Sequence, residues 1–312
     1  MSGPSARPVV VVGDLMVDVV ARMAAPLAAG SDTPAQVRSR PGGAGANVAA
    51  WLAVAGAPVT LVARAGDDDA ARGAVARLAG HGVTPAVAVD PSLPTGTCVV
   101  LVATDGERSM LPDAGANAAL APADLPDGAF ARGAHLHLTG YPLLRDGPPR
   151  AAALEARRRA RAAGMTVSLD PSSAAPLEAF GPERFLALAG EVDLLMPNRD
   201  EAVTLAGASD PRAAARALCA HAREVVVTLG AEGAVWTDGS ATAAAPAAAA
   251  GPVADTTGAG DAFTAGFLAA WLRGAAPPEA LVAGNTLAAR AIEVASGSTG
   301  ASTGADGAGR DV

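Results

Sequence analysis

The sequence contains no lysine: all 23 basic residues in its 312 positions are arginine. Biased base composition in the genome accounts for this most simply, because the two cations are near-equivalent on a solvated surface. The chemical consequence holds whatever the cause. A Walker-type phosphate lysine, a protein-kinase strand lysine and a Schiff-base lysine are all excluded. Cysteine is scarce as well. Cys98 and Cys219 lie far apart in no paired pattern, which speaks against a disulfide framework or a structural zinc and points to a reducing cytoplasm. Positive charge is in deficit, with a formal net charge of −8, so there is no electrostatic footprint for nucleic acid or for an anionic membrane. Long apolar runs are missing. Val9-Val10-Val11-Val12 is broken at once by Gly13-Asp14, too short for a signal segment or a spanning helix. Aromatic residues make up only 3% of the chain, which leaves little on which to stack a planar base.

Half of the residues are apolar, enough for a large core without disulfide or metal. Short β-rich runs alternate with alanine-rich helical segments. The strands expected are Val9–Val12, Val59–Ala63, His135–Leu138, Thr166–Leu169, Leu194–Met196 and Val225–Thr228. Helices are expected near Asn47–Ala55, Ala70–His81, Arg150–Ala163, Arg212–Arg223, Ala259–Arg273 and Pro278–Ala295. Such alternation implies βαβ crossovers, and so an α/β fold with a doubly wound, mainly parallel sheet covered by helices on both faces. Ligands of such sheets bind beyond the carboxyl ends of the strands. Residues from about 15 to 40 and from about 95 to 112 read as strands without intervening helices, joined in part by the Asp105-Gly106 hairpin turn. They predict a small β-sheet lid on one domain spanning 1–298. The alanine-rich stretch Ala243–Ala250, which contains Pro246, reads as a surface connection. Residues 299–312 have little to bury and are expected to form a disordered tail.

Three segments carry the chemistry. In "DTTGAGDAF", residues 255–263, Gly258 and Gly260 let backbone N–H groups approach a ligand, and the helix that follows aims its dipole and unpaired amides at the same spot. That is an anion hole. Asp261, in the first turn, would repel a phosphate, so it makes sense as the general base that takes a proton from an attacking hydroxyl. An acidic first turn is also ordinary helix chemistry, but two glycines before it are not. The second segment is Asn198-Arg199-Asp200-Glu201, directly after a strand. Beside nucleotide phosphates, Glu201 would hold Mg²⁺, directly or through water, with Asn198 on phosphate or metal water. Taken alone, Asn-x-x-Glu at a helix start is equally a capping box. The third, Gly42-Gly43-Ala44-Gly45-Ala46-Asn47, opens a helix and lacks the third glycine of a dinucleotide fingerprint. With Asp14 and Asp18 it suits a small polyhydroxylated molecule. His135 and His137 alternate on one strand face at a spacing that can bind metal, but with no third ligand nearby they read as structural.

Taken together these motifs resemble the PfkB family of carbohydrate kinases, which have the ribokinase-like fold. The resemblance covers about residues 8–298 in the family's order: Gly13 to Asp18, Gly42 to Asn47, "GANAAL" from Gly115 to Leu120, "PNRDEA" from Pro197 to Ala202, "VTLGAEG" from Val227 to Gly233, and "DTTGAGDAF". The last is the family's specific signature. The resemblance implies that Asp261 is the catalytic base and that Gly258, Ala259 and Gly260 form the anion hole. Asn198 and Glu201 match the Mg²⁺-phosphate motif, and Thr228 and Gly230 the ATP-binding strand end. Asp14, Asp18, Gly42, Gly43 and Asn47 match the substrate-hydroxyl pocket. Asp255 and Thr257 match a monovalent-cation loop, for which K⁺ is the expected ion. ATP and Mg²⁺ are the implied cofactors.

The acceptor side departs from ribokinases. Met16 stands where they carry an asparagine, and Ala44 where they carry a lysine. The expected activity is ATP-dependent phosphorylation of a primary hydroxyl on a sugar or sugar acid, with Arg108 near the lid's turn as a carboxylate partner. A nucleoside kinase on the same scaffold is the alternative, and a non-catalytic sugar- or nucleotide-binding regulator a more distant one. A sensor would need neither Asp261 nor Glu201. The lid's exposed face is expected to pair two subunits, since exposed strand edges are commonly covered. Neither nucleic acid nor membrane is expected as a partner.

Overall fold

The computed structural model describes residues 7–105, 107–249 and 258–293. The first described element is β1 (Val9–Val12), a run of valines buried on both faces as a central parallel strand requires. The chain then leaves the body for β2 (Met16–Met23) and β3 (Ala35–Gly42), and returns in α1 (Ala44–Val54), β4 (Val59–Gly66), α2 (Asp69–Gly80) and β5 (Val83–Asp90). A second excursion makes β6 (Gly96–Val102) and β7 (Arg108–Asp113), followed by three 3₁₀ turns between 115 and 129. From β8 (His135–Thr139) the chain passes through α3 (Tyr141–Leu144) and α4 (Pro148–Ala162) to β9 (Thr166–Asp170). Next come α5 (Ala174–Phe180), α6 (Pro182–Ala189), β10 (Val192–Leu195), α7 (Arg199–Ala206), α8 (Pro211–Leu218) and β11 (Ala222–Thr228). The antiparallel pair β12 (Ala234–Thr237) and β13 (Thr242–Ala245) precedes α9 (Ala259–Leu272) and α10 (Pro277–Glu293).

Among the described residues, nine strands form one sheet in the order β13-β12-β11-β10-β9-β8-β1-β4-β5, parallel from β11 to β5. Alternate residues of each strand feed two separate cores. Val9 and Val11 pack with α1, α2, α9 and α10. Val10 and Val12 pack with α4, α6, α7 and α8 on the other face. The chain order reverses between β1 and β8, so a crevice opens beyond their carboxyl ends, at Gly13-Asp14 and Gly140-Tyr141. The other four strands form a small sheet, β3-β2-β6-β7. Its two outer strands carry the prolines Pro41 and Pro112, which an edge tolerates because no ladder hydrogen bond is lost. Its register places Asp18, Arg40 and Cys98 side by side on one face, while Val37, Val99 and Leu111 share the other.

Several expectations are corrected. Thr242–Ala245, inside the alanine-rich stretch read as a surface connection, is the edge strand β13, recruited by pairing with β12 rather than by its own propensity. The helix expected to run to Arg223 stops at Leu218, and Ala222 already belongs to β11. Val83–Asp90 forms the opposite edge strand in spite of Pro85. The tail at 299–312 lies outside the described residues.

Candidate functional site

Two helices begin at the crevice. The residue before α9 is Gly258, whose φ of +79° is a left-handed conformation that costs glycine nothing. Gly258 has no side chain with which to cap this end, so the amides after it, those of Ala259 and Gly260 among them, are offered to an anion. Asp261 sits in the first turn, and its Oδ2 accepts a 2.9 Å hydrogen bond from Nδ2 of Asn47, in the first turn of α1. Burial raises the Asp261 carboxyl well above its ordinary range. The Asn47 bond opposes that rise, and the charges of Asp170, Asp14 and Asp18 add to it.

The start of α1 is held by Asp14, whose two carboxylate oxygens accept the backbone N–H groups of Ala44 (3.2 Å) and Gly45 (3.1 Å). Asp14 thus caps a helix at the floor of the crevice, with its carboxyl raised by burial. Gly43 is the N-cap residue of this helix. Asp18 lies on β2 against Gly42, where an added Cβ would come within 2.2 Å of its Oδ1. It also forms an ion pair with buried Arg40 at 3.6 Å. Glycine at 42 is therefore a requirement of close approach rather than of backbone freedom.

Asn198 and Glu201 form a complete capping box at the start of α7. Glu201 donates its N–H to Asn198 Oδ1, while Asn198 donates its N–H to Glu201 Oε2, each at 2.9 Å. The capping role left open by the spacing is therefore present. It does not exhaust Glu201, which is only 2% exposed. Burial and the neighbouring charge of Asp170, with Asp200 and Asp261 behind it, push its carboxyl upward. Asp170, the last residue of β9, is raised by burial in the same way and accepts hydrogen bonds from the Ser172 N–H and the Thr264 hydroxyl. Thr228 is joined to this group by a parallel bridge to Asn198. Gly230 follows it at the start of a 3₁₀ turn.

Asp261, Asn47, Asp14, Glu201, Asn198 and Thr228 thus gather beyond the carboxyl ends of the sheet, with Asp18 on the small sheet beside them. Arg108 is not brought into this group. It starts β7 opposite Val102 and is exposed, four residues along the strand from the level of Asp18 and Cys98. Asp255 and Thr257 lie outside the described residues. His135 and His137 are buried and tied to Ser168, with His135 also bonded to Thr166, so their role is structural.

Two residues escaped sequence reading. Asp170 ends its strand in no motif of its own. Tyr141, the sole tyrosine, is 40% exposed at the crevice. Its phenol is raised by burial and by the charges of Asp14, Asp261, Asp170 and Glu201. Nothing in its local sequence marks it.

Comparison with known proteins gives this arrangement a lineage. Residues 6–303 match the model of the pfkB family carbohydrate kinases. The chain belongs to this family. It is 34% identical over 241 residues to an aminoimidazole riboside kinase of Salmonella typhimurium, covering 73% of this chain and 72% of that one. A 2-dehydro-3-deoxygluconokinase of Thermoproteus tenax is 34% identical over 251 residues, covering 77% and 75%. Among solved structures, an adenosine kinase from Sinorhizobium meliloti superposes with a TM-score of 0.84 at 28% identity, covering 92% of this chain and 94% of its own. The Arabidopsis thaliana ribokinase solved with ribose and ATP gives 0.75 at 27% identity, covering 93% of each.

Proposed function

We propose that this carbohydrate kinase transfers the γ-phosphoryl group of ATP to a primary hydroxyl of a sugar or sugar acid. The acceptor oxygen forms a bond to phosphorus as the β–γ bridging bond breaks; ADP departs and the hydroxyl proton passes to Asp261. The observation that carries this reading is a carboxylate held by Asn47 at the glycine-led amide end of α9. The amides offer charge stabilisation where the transferring group is most negative, and the carboxylate offers a base in the same turn.

Asp170 and Glu201 suit Mg²⁺, a hard cation that takes one or two carboxylates and completes its shell with water and phosphate oxygens. Among the described residues no group of three potential ligands forms a metal site by itself, in keeping with such a shared shell. When bound, the ion neutralises phosphate charge. The two carboxylates, both raised by burial and Glu201 further by the Asp170 charge, are groups that a cation would relieve. Asn198, Thr228 and Gly230 border the nucleotide side. Asp255 and Thr257 are retained as a K⁺ loop, tested by activity in potassium against sodium.

Asp18, Gly42, Gly43 and Asn47 border the acceptor side. For a sugar acid, buried Arg40 beside Asp18 is better placed than Arg108 to meet a carboxylate. Tyr141 favours a second reading, a nucleoside acceptor, because it offers one ring to stack on at the crevice. The small sheet would act as a lid. Its outer face, with Val37 61%, Val99 36% and Leu111 55% exposed, would pair two subunits, and light scattering that gives a strict monomer would remove that pairing. The two free thiols support a cytoplasmic setting, and the net negative charge supports a small soluble acceptor over nucleic acid or membrane.

The test is an ADP-release assay with ribose, fructose, 2-dehydro-3-deoxygluconate, adenosine and aminoimidazole riboside. Activity on a sugar or sugar acid that disappears in Asp261→Asn is the expected result. ATP hydrolysis with no acceptor dependence would overturn the reading.

A further inference from the structure

Four chain crossings join the small sheet to the body, and three of them meet at one side chain, Asn117, in the 3₁₀ turn Gly115–Ala119. Its Oδ1 accepts the Leu15 N–H at 3.1 Å, and its Nδ2 donates to the Leu15 carbonyl at 2.9 Å. The same Nδ2 donates to the carbonyl of Ala114 at 3.1 Å. Leu15 directly precedes β2, and Ala114 directly follows β7. The third crossing enters β6 at Gly96, where an added Cβ would fall 2.5 Å from Nδ2. The turn is fixed to this last crossing as well, since Ala116 donates its N–H to the Pro94 carbonyl at 2.8 Å.

A primary amide is the chemistry this junction demands: one acceptor and two donors at a single point. Both backbone groups of Leu15 are taken by one side chain, as they would be in a sheet ladder. The segment from Asp14 to Met16 therefore cannot rotate without breaking both bonds. Asp14, one residue earlier, caps α1, whose Asn47 holds Asp261. Asp18, three residues later, lines the acceptor side. We propose that Asn117 is a positioning residue for the acceptor, a clasp that sets the small sheet against the body and so fixes Asp14 and Asp18. It touches neither acceptor nor nucleotide.

The kinetic part rests on the kinase reading above; the structural part does not. Hydrogen exchange on the unliganded protein is therefore the first measurement, on Asn117→Ala and on the isosteric Asn117→Asp, which keeps the acceptor but loses both donors. Exchange in Met16–Met23 and Gly96–Val102 should speed up about ten-fold while α9 and β8 hold their protection. In the kinase assay the acceptor KM should rise about ten-fold or more, with the KM for ATP changed by no more than about two-fold. Unchanged exchange in both strands would overturn the clasp. So would faster exchange spread equally through α9, or failure of both variants to fold, since either assigns Asn117 to general stability. Should the wild type phosphorylate nothing in the panel, the kinase reading fails while the exchange data still decide the clasp.

Discussion

Asn47 and Asp261, 214 positions apart in the chain, meet through a 2.9 Å hydrogen bond between the first turns of α1 and α9. The bond aligns two helix N-termini on one point and favours the charged form of a carboxylate that burial disfavours. It also orients Asp261, because the amide hydrogen holds one carboxylate oxygen and leaves the other for a proton.

Replacing Asp261 by Asn should lower turnover by about 10²–10⁴-fold while ATP still binds, the range for a positioned base. Asn47→Ala should cost less, about ten-fold, as expected for one lost hydrogen bond to a charged group. If Asn47 acts through Asp261, the double variant will be no slower than Asp261→Asn alone. Turnover numbers for the three variants, with ATP titrations, check this. A double variant that multiplies the two losses would give Asn47 an independent role.

Glu201→Gln and Asp170→Asn should each raise the Mg²⁺ concentration for half-maximal rate by about ten-fold or more. Neither should move the melting temperature of the metal-free protein by more than about 3 °C. In Glu201→Gln, one bond to Asn198 is lost but a buried charge beside Asp170 is relieved. Magnesium titrations and thermal melts read the two effects separately, and an unchanged titration would remove that residue from the nucleotide site.

The parallel core strands and the glycine-bounded helix starts were legible because periodicity and turn chemistry are local signals. Asp261 and Glu201 announced themselves by residue type directly after such turns. The edge strands were not legible: alanines in Thr242–Ala245 and Pro85 in Val83–Asp90 carry no strand preference, and only pairing with a neighbour makes them strands. Asp170 and Tyr141 were hidden for a related reason. Their importance comes from what the sheet order sets beside them, and strand order is absent from any short window of sequence. Arg108 was recognised as a residue beside a turn, but its level on the strand, four residues from that of Asp18 and Cys98, is set by the length of the hairpin and not by the turn.

His135 and His137 give the protein an acid limit. Burial drives the His137 imidazole down to about 3 and lowers His135 well below its ordinary value. Both are neutral in the folded and unfolded states above about pH 6.5 and cost nothing there. Below that pH the unfolded chain takes up protons that the folded one refuses, so stability falls as pH falls, by about 1.4 kcal/mol per unit for each histidine. Their contribution to the loss is thus confined to the window from about pH 6.5 down toward 3. Denaturant unfolding at pH 7, 6 and 5 should show this slope in the wild type and a shallower one in His137→Gln. Equal slopes would mean that the pair titrates normally.

Tyr141 decides between acceptor classes. Its phenol is shifted upward by burial and four surrounding carboxylates, so at any working pH it is a neutral O–H donor attached to a ring. A nucleoside would use the ring. Tyr141→Phe should then be nearly silent, while Tyr141→Ala should raise the nucleoside KM about 5–100-fold, the range for one stacked base. A sugar or sugar acid would use the hydroxyl. Tyr141→Phe and Tyr141→Ala should then lower kcat/KM alike, by about 3–10-fold for one hydrogen bond. The backbone that aims Tyr141 is independent of its side chain: the Gly140 N–H is held by Ser172 Oγ at 2.8 Å, and Ser172 itself sits in a left-handed conformation at φ 81°. Neither substitution should therefore disturb Asp170 or the fold, and thermal melts will confirm it. The best acceptor found for the wild type, assayed on both variants, separates the two outcomes; no change in either variant would place Tyr141 outside the acceptor pocket.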